Sequence, residues 1–136
     1  MIRRLDHIAI AVPDLHRALQ RFCEDLGLPL MGQEAVPSQS TQTAFLPVGE
    51  THIELVHPID GKGPIQTFLE KKGGGLHHLC FETDDIVSDL ARLKAKGYRS
   101  LSEQPVPGAH DSQVVFLHPK DFDGVLIELV QHQGPK

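Results

Sequence analysis

The chain has 136 residues, a length that suits one domain and is too short for two independent hydrophobic cores. Its 40% hydrophobic and 23% charged residues are typical of a globular protein, and no segment approaches the roughly 20 apolar residues that span a bilayer. The net charge of −5, without a cluster of Lys and Arg, excludes neither small ligands nor protein partners but argues against nucleic acid.

The first predicted elements are a strand over residues 5–12 and a helix over residues 15–26. Side chains in the strand alternate between two faces, and apolar residues in the helix recur at helical spacing. Asp14 is a candidate N-cap of this helix, and Gly27 can adopt the left-handed conformation that ends it. Three strand-like runs follow, over residues 28–31, 41–46 and 52–57. The first half of the chain therefore predicts a βαβββ module.

The second half repeats this plan. A shift of 71 residues aligns His7 with His78, and a shift of 74 aligns Glu54 with Glu128. The repeat predicts a strand over 78–83, a helix over 86–93 that is capped by Asp84 or Asp85 and ends before Gly97, and strands over 99–101, 113–117 and 125–130.

Duplication sets the predicted organisation. Two modules, at about residues 1–58 and 76–132, are joined by a linker over 59–75 that is rich in Gly and Pro and is a candidate lid. Neither module can bury its sheet alone. We therefore expect one α+β domain over residues 1–136, in which two tandem βαβββ modules form a curved, partly closed, eight-stranded mixed sheet with helices outside.

Each module carries one His on its first strand and one Glu on its last: His7 with Glu54, and His78 with Glu128. Alternation places the glutamates on the face away from the helices, so the four side chains can converge. A single strand His or Glu is more often structural. Two buried carboxylates, however, are costly without a cation, and two imidazoles with two carboxylates suit a divalent transition metal.

Other histidines are weaker candidates. Strand alternation favours His78 over His77 as the metal ligand, because His77 would face the helices with Leu79 and Phe81. His52 shares a face with Glu54 and either supports that ligand by a hydrogen bond, contacts the substrate, or is a hydrogen-bonded filler. We expect His57 and His132, at strand ends, to be exposed.

Three loop residues are candidate substrate contacts. His110, His118 and Lys120 lie in segments rich in Gly, Pro and Asp, where turn formation is the plain explanation.

These features resemble the vicinal oxygen chelate (glyoxalase-like) superfamily, whose members pair βαβββ modules around a metal. The resemblance covers residues 2–131 and is strongest to the methylmalonyl-CoA epimerase family. The similar segments are LDHIAIAVPDL from residue 5, IELVHPI from 53, GGGLHHLCFETDDI from 73, RSLSEQPVPGAH from 99 and FLHPKDFDGVLIEL from 116.

The resemblance implies an isomerase with one divalent ion (cobalt, zinc, nickel or manganese) bound by His7, Glu54, His78 and Glu128. The implied reaction is epimerisation of methylmalonyl-CoA at C2 through a metal-stabilised enolate in propionyl-CoA metabolism. Glu128 is implied as both ligand and acid/base. The family's second carboxylate aligns with Thr43, which cannot replace it, so Glu54, His52 or a metal-bound water are the candidates for the second proton carrier.

The implied partners are an acyl-CoA substrate and a second copy of the chain in a homodimer. Lys71, Lys72 and Lys120 are candidates to meet CoA phosphates, although such lysines are usually solvated surface. Cys23 and Cys80 do not form a disulfide-like pattern, which together with the absence of a leader pattern predicts a cytoplasmic location.

Three other functions remain open at this point. A glyoxalase I-type lyase acting on a glutathione hemithioacetal would use the same four ligands. A ring-cleaving iron dioxygenase would need only two His and one Glu. A metal-free small-molecule-binding protein would keep the fold and need none of the four ligands.

Overall fold

The computed structural model describes residues 1–133, which fall into two compact units. The first unit is His7–His77, and the second combines Met1–Asp6 with the chain from His78 onward. The strand β1 (Ile2–Ala11) therefore contributes to both units, and so does β5 (Gly75–Thr83). That the units together form one domain stays a prediction.

Besides β1, the first unit contains the strands β2 (Gly32–Val36), β3 (Thr41–Val48) and β4 (Thr51–Pro58), with a 3-10 turn at Pro37–Gln39. The strand order is β2-β3-β4-β1. In this unit β1 pairs in parallel with β4, whereas β3 pairs antiparallel with both β4 and β2.

Two helices belong to this unit. The first, α1 (Leu15–Leu19), continues as a π-helical segment, Gln20–Asp25. The Asp14 carboxylate accepts the backbone N–H of Arg17 at 3.0 Å, which confirms Asp14 as the N-cap. Leu46 and Leu55, both 0% exposed, pack with Ala18 of this helix and form the unit's core.

Besides β5, the second unit contains α3 (Ile86–Ala95), β6 (Val106–Gly108), β7 (Ser112–Leu117), a 3-10 turn (Pro119–Asp121) and β8 (Ile127–His132). The strand order is β5-β8-β7-β6, with β5 and β8 parallel and the other pairs antiparallel. The helix α3 is capped by Asp85, which accepts the N–H of Ser88 at 3.1 Å.

The two units share one plan, down to the register of their parallel strands. Ala9 lies opposite Glu54 in the first unit, and the equivalent Cys80 lies opposite Glu128 in the second. The predicted α+β class, with two βαβββ modules and eight strands of mixed direction within residues 1–133, is confirmed.

Two predicted strands are wrong. Residues 28–31 form no strand, because Pro29 has no N–H to donate to a ladder, and β2 forms at Gly32–Val36 instead. Residues 99–101 make one isolated bridge, between Ser100 and Leu117, and the edge strand forms later as β6. In both places, pairing with the neighbouring strand decided the position.

The predicted linker is not merely a loop. It contains α2 (Pro64–Lys72), whose Ile65 is 5% exposed and packs with Ala11 and Val56 in the first unit. Gly73, with φ of 80°, ends the helix in the left-handed conformation. Within the described residues, no helix has the length and apolar character that spanning a membrane requires.

Candidate metal centre and active site

The pairing register of the first unit places its predicted ligands on one face of the sheet. His7 lies opposite His52, and Ala9 lies opposite Glu54, so these side chains point to the same side. Ile53 and Leu55 point to the other side and pack with the residues of α1, as predicted. We call the side that carries His7 and Glu54 the ligand face of the first unit.

Glu54 is held between two imidazoles. Its Oε2 atom lies 3.0 Å from Nδ1 of His7 and 2.8 Å from Nε2 of His52. His7 is 5% exposed and Glu54 is 9% exposed. His52 also packs against the rings of His7 and Phe45, with centroids 5.1 Å and 5.8 Å away. The structure therefore brings together three of the residues singled out in this half of the sequence.

The second unit contains the matching pair. Nε2 of His78 lies 2.8 Å from Oε1 of Glu128, and both side chains are buried. The ring of Phe116 packs edge-on against His78, with the centroids 5.2 Å apart. His77 instead packs edge-on against Phe68 of α2, at 4.9 Å, so it points away from the ligand position, as parity predicts.

The nitrogen and oxygen donors of the first unit's cluster, and those of the second unit's His–Glu pair, suit a divalent transition metal. Ligand atoms of His7, His52 and Glu54 all lie within 4.8 Å of one another. Imidazole nitrogen and carboxylate oxygen are donors that zinc, cobalt, nickel and manganese accept. A bound cation would also stabilise carboxylates that are almost removed from water.

The predicted loop contacts have structural hydrogen bonds or turn geometry of their own. His118 accepts the backbone N–H of Lys120 at 3.1 Å and caps the turn Pro119–Asp121. His110 has a positive φ of 54° in an exposed turn, and Lys120 is exposed. Their role in substrate binding stays a prediction.

The expected exposure of His57 and His132 is wrong. Both are half-buried: Nδ1 of His57 lies 2.9 Å from the carbonyl oxygen of Val12, and Nε2 of His132 lies 2.9 Å from Oδ1 of Asp6. In the second unit, ligand atoms of Asp6, Glu82 and His132 lie within 4.8 Å of one another. Arg4 already pairs with Glu82 at 2.6 Å there.

Sequence reasoning missed one carboxylate on the ligand face. Glu34 on β2 lies directly opposite Thr43 on β3, and Thr43 lies opposite Val56 on β4. Glu34 therefore shares the face of Glu54 and is half-buried, whereas its strand neighbours Gln33 and Ala35 are exposed. The misplaced strand at 28–31 left Glu34 in a predicted loop, which hid this alternation.

Known proteins resemble this chain in sequence and in fold. The family described as the Glyoxalase/Bleomycin resistance protein/Dioxygenase superfamily matches residues 6–116, most of the chain. The chain belongs to this superfamily. Within the glyoxalase superfamily, the chain is 46% identical over 133 residues to the ethylmalonyl-CoA/methylmalonyl-CoA epimerase of Cereibacter sphaeroides, covering 96% of this chain and 99% of that protein.

Solved structures of glyoxalase-superfamily proteins share the fold. The methylmalonyl-CoA epimerase of Mycobacterium tuberculosis superposes with a TM-score of 0.93 at 36% identity, covering 98% of this chain and 90% of that one. A variant of the Streptomyces coelicolor methylmalonyl-CoA epimerase in complex with 2-nitronate-propionyl-CoA gives 0.92 at 32% identity, over 98% and 100%.

Proposed function

We propose that this protein is an epimerase that interconverts the two C2 epimers of methylmalonyl-CoA in propionyl-CoA metabolism. The observation that carries the proposal is the near-complete match to a relative named ethylmalonyl-CoA/methylmalonyl-CoA epimerase. Because the match extends over nearly the whole of both chains, it supports a shared reaction and not only a shared fold.

We propose that His7, Glu54, His78 and Glu128 together bind one divalent ion, either cobalt, zinc, nickel or manganese. Support comes from the burial of both His–Glu pairs and from their nitrogen and oxygen donors. When bound, the ion supplies Lewis acidity that lowers the energy of the enolate formed when the C2 proton leaves. His52, hydrogen-bonded to Glu54, orients that carboxylate.

Glu128 is proposed to move the C2 proton on one side of the substrate. It removes the proton from one epimer and returns a proton in the reverse direction, a role that contributes about 10²- to 10⁴-fold in rate. The opposite side needs a second carrier. On the chemistry of the metal centre alone, Glu54, His52 or a metal-bound water are the candidates for it.

We propose an acyl-CoA thioester as the small-molecule partner and a homodimer as the assembled form. The nitronate ligand of the Streptomyces coelicolor relative supports the first part, because a nitronate is a planar anion, as an enolate is. Light scattering coupled to size-exclusion chromatography tests the second part, and a monomer mass at micromolar concentration would contradict it.

A direct assay separates epimerase from lyase. Purified protein is incubated with one epimer of methylmalonyl-CoA in D₂O and, separately, with methylglyoxal and glutathione. We expect deuterium at C2 together with conversion to the other epimer, and no lactoylglutathione. Turnover of the glutathione adduct without C2 exchange would replace the epimerase proposal by the lyase.

Metal content tests the remaining alternative. Protein purified without chelator is expected to carry about one divalent ion per chain, measured by plasma mass spectrometry. A chain that holds none, and takes up none from added cobalt or zinc, would favour a metal-free binding protein.

A further inference from the structure

The two units repeat the four predicted ligands, but the repeat breaks beside Glu54. The shift of 74 residues that aligns Glu54 with Glu128 aligns His52 with Leu126. Leucine has no donor atom for a metal, whereas an imidazole offers a nitrogen that divalent transition metals accept. The first unit therefore carries a nitrogen donor beside its predicted ligands that the second unit lacks at the equivalent position.

Strand pairing brings three donor side chains of the first unit together on its ligand face. His7 on β1 lies directly opposite His52 on β4, and Glu54 lies two residues further along β4. Residues two positions apart on a strand point to the same side. The three side chains therefore come from neighbouring positions of two hydrogen-bonded strands, which hold a metal site more precisely than a loop does.

The distances between these side chains match those within one coordination sphere. Oε2 of Glu54 lies 2.8 Å from Nε2 of His52 and 3.0 Å from Nδ1 of His7. Ligand atoms of all three residues lie within 4.8 Å of one another. Because zinc binds nitrogen and oxygen at roughly 2.0–2.2 Å, two ligand atoms at right angles around one ion are about 3 Å apart. Both imidazoles already meet the same carboxylate oxygen at that separation.

The contact between His52 and Glu54 contains a proton that an ion can replace. An ionised carboxylate only accepts hydrogen bonds, so Nε2 of His52, at 2.8 Å, is the donor. This hydrogen bond orients Glu54 before an ion arrives. Metal binding releases protons from its ligands, and Nε2 without its proton presents a lone pair to the ion. The two contacts are therefore alternatives at the same nitrogen atom.

His52 is also the member of this group that water reaches most easily. Its side chain is 23% exposed, against 6% for His7 and 11% for Glu54. A hydrated ion that approaches the ligand face of the first unit can therefore reach a nitrogen donor that lies 2.8 Å from a carboxylate oxygen.

We propose that His52 is a metal ligand, and that His7, His52 and Glu54 bind the divalent ion as a triad that needs no donor from the second unit. Two imidazoles and one carboxylate leave coordination positions open. When the ion binds, the proton on Nε2 of His52 passes to water. A histidine bound to the ion cannot carry the C2 proton, which removes His52 from the candidates for the second carrier. The inference rests on the proposed function only for the presence of the ion.

The double variant His78→Leu/Glu128→Leu isolates the triad in the full chain. It replaces two buried polar side chains by apolar ones, a change that folds often tolerate. Adding His52→Leu gives the first unit the residue that the second unit has at Leu126. Each protein is freed of metal and titrated with zinc against a chromophoric chelator. Zinc X-ray absorption then counts the imidazoles that are bound to each ion.

We expect the double variant to bind one zinc ion through two imidazoles. With His52→Leu added, we expect one imidazole and an affinity lower by more than about 100-fold, since losing a residue that only orients a ligand already costs about 10- to 100-fold. His16→Leu, at an exposed position of α1, is the matched control and should change neither quantity.

Two results would overturn the triad. The first is a folded double variant that binds no zinc or binds it through one imidazole. The second is an imidazole count that His52→Leu leaves unchanged, because a residue that only orients Glu54 weakens binding without leaving the ion.

If the double variant does not fold, the imidazoles are counted in the native protein and in His52→Leu alone. We expect three in the native protein and two in the variant, and equal counts would overturn the role of His52. Native protein that binds zinc through three imidazoles but does not epimerise methylmalonyl-CoA would refute the proposed function and leave the triad in place.

Discussion

The Nε2 atom of His78 lies 2.8 Å from Oε1 of Glu128, and the two side chains are 6% and 8% exposed. Because this contact is shielded from water, replacing the Glu128 carboxylate by a neutral side chain should weaken it strongly. We expect Glu128→Gln to lower epimerisation by at least about 100-fold, because it removes a proton carrier and a charged metal donor together. A coupled assay of methylmalonyl-CoA turnover measures the rate.

An exposed carboxylate of the same unit provides the control for that variant. Glu103→Gln makes the same chemical change at an exposed position and should keep the native rate. Near-native turnover by a folded Glu128→Gln protein would remove Glu128 from the mechanism.

His7 and His16 give a matched pair for metal binding. We expect His7→Ala to lose most of the bound divalent ion, since it removes a buried imidazole that lies 3.0 Å from Glu54. His16→Ala, at an exposed position of α1, should retain the ion. Plasma mass spectrometry after gel filtration reads out both, and equal metal content in the two variants would contradict the ligand assignment.

Removing the metal should also lower thermal stability. A ligand that binds only the folded protein stabilises it by about 4 kcal/mol when its free concentration is 1,000 times its Kd. We expect dialysis against a chelator to reduce the melting temperature and abolish epimerisation, and added cobalt or zinc to restore both. A melting temperature that is unaffected by chelator and added metal would be inconsistent with a resident ion.

Asp121 provides a prediction of pH dependence. The Arg99 guanidinium and backbone N–H, which Asp121 binds at 2.8–3.2 Å, lower the pKa of this carboxyl from 3.8 to about 2. A depressed pKa stabilises the fold above pH 3.8, and this contribution is lost as the pH falls from 3.8 toward 2.

The variant Asp121→Asn lacks that contribution at every pH. Its melting temperature should lie below the native value near neutral pH and converge with it as the pH approaches 2. Asp123→Asn, at an exposed position that already has a positive φ of 57°, serves as the control. A constant difference between Asp121→Asn and native protein across this range would contradict the linkage.

Leu55 tests the helix face of the first unit. It is 0% exposed and packs beneath α1, so Leu55→Ala should cost about 2–5 kcal/mol of unfolding free energy. Leu26→Ala, at a side chain that is 67% exposed, should cost far less. Urea denaturation compares them, and similar costs would mean that the face assignment is wrong.

The strand faces of the four proposed ligands were predictable because the duplicated sequence shows the same pattern twice. His7 and His78 occur at equivalent positions on alternating strands, and so do Glu54 and Glu128, so period and repeat together indicated their faces. Helix caps were readable for a similar reason, since Asp14 and Asp85 act within one turn of their own helices.

Edge strands were predicted poorly because their position depends on a partner. Pro29 disfavours a strand at residues 28–31, but the position of β2 at Gly32–Val36 is set by its antiparallel register with β3. The same pairing put Glu34 on the ligand face. A one-residue slip would have turned Glu34 to the opposite face.

The sequence by itself determined the two βαβββ modules, the helix caps and the four residues proposed to bind the metal. Those features follow from periodicity and local hydrogen bonding, which neighbouring residues specify. Only the tertiary structure decided where β2 and β6 pair, that α2 forms on Ala11 and Val56, and that Glu34 faces the side of Glu54. These depend on contacts between residues distant in the chain, which no local pattern records.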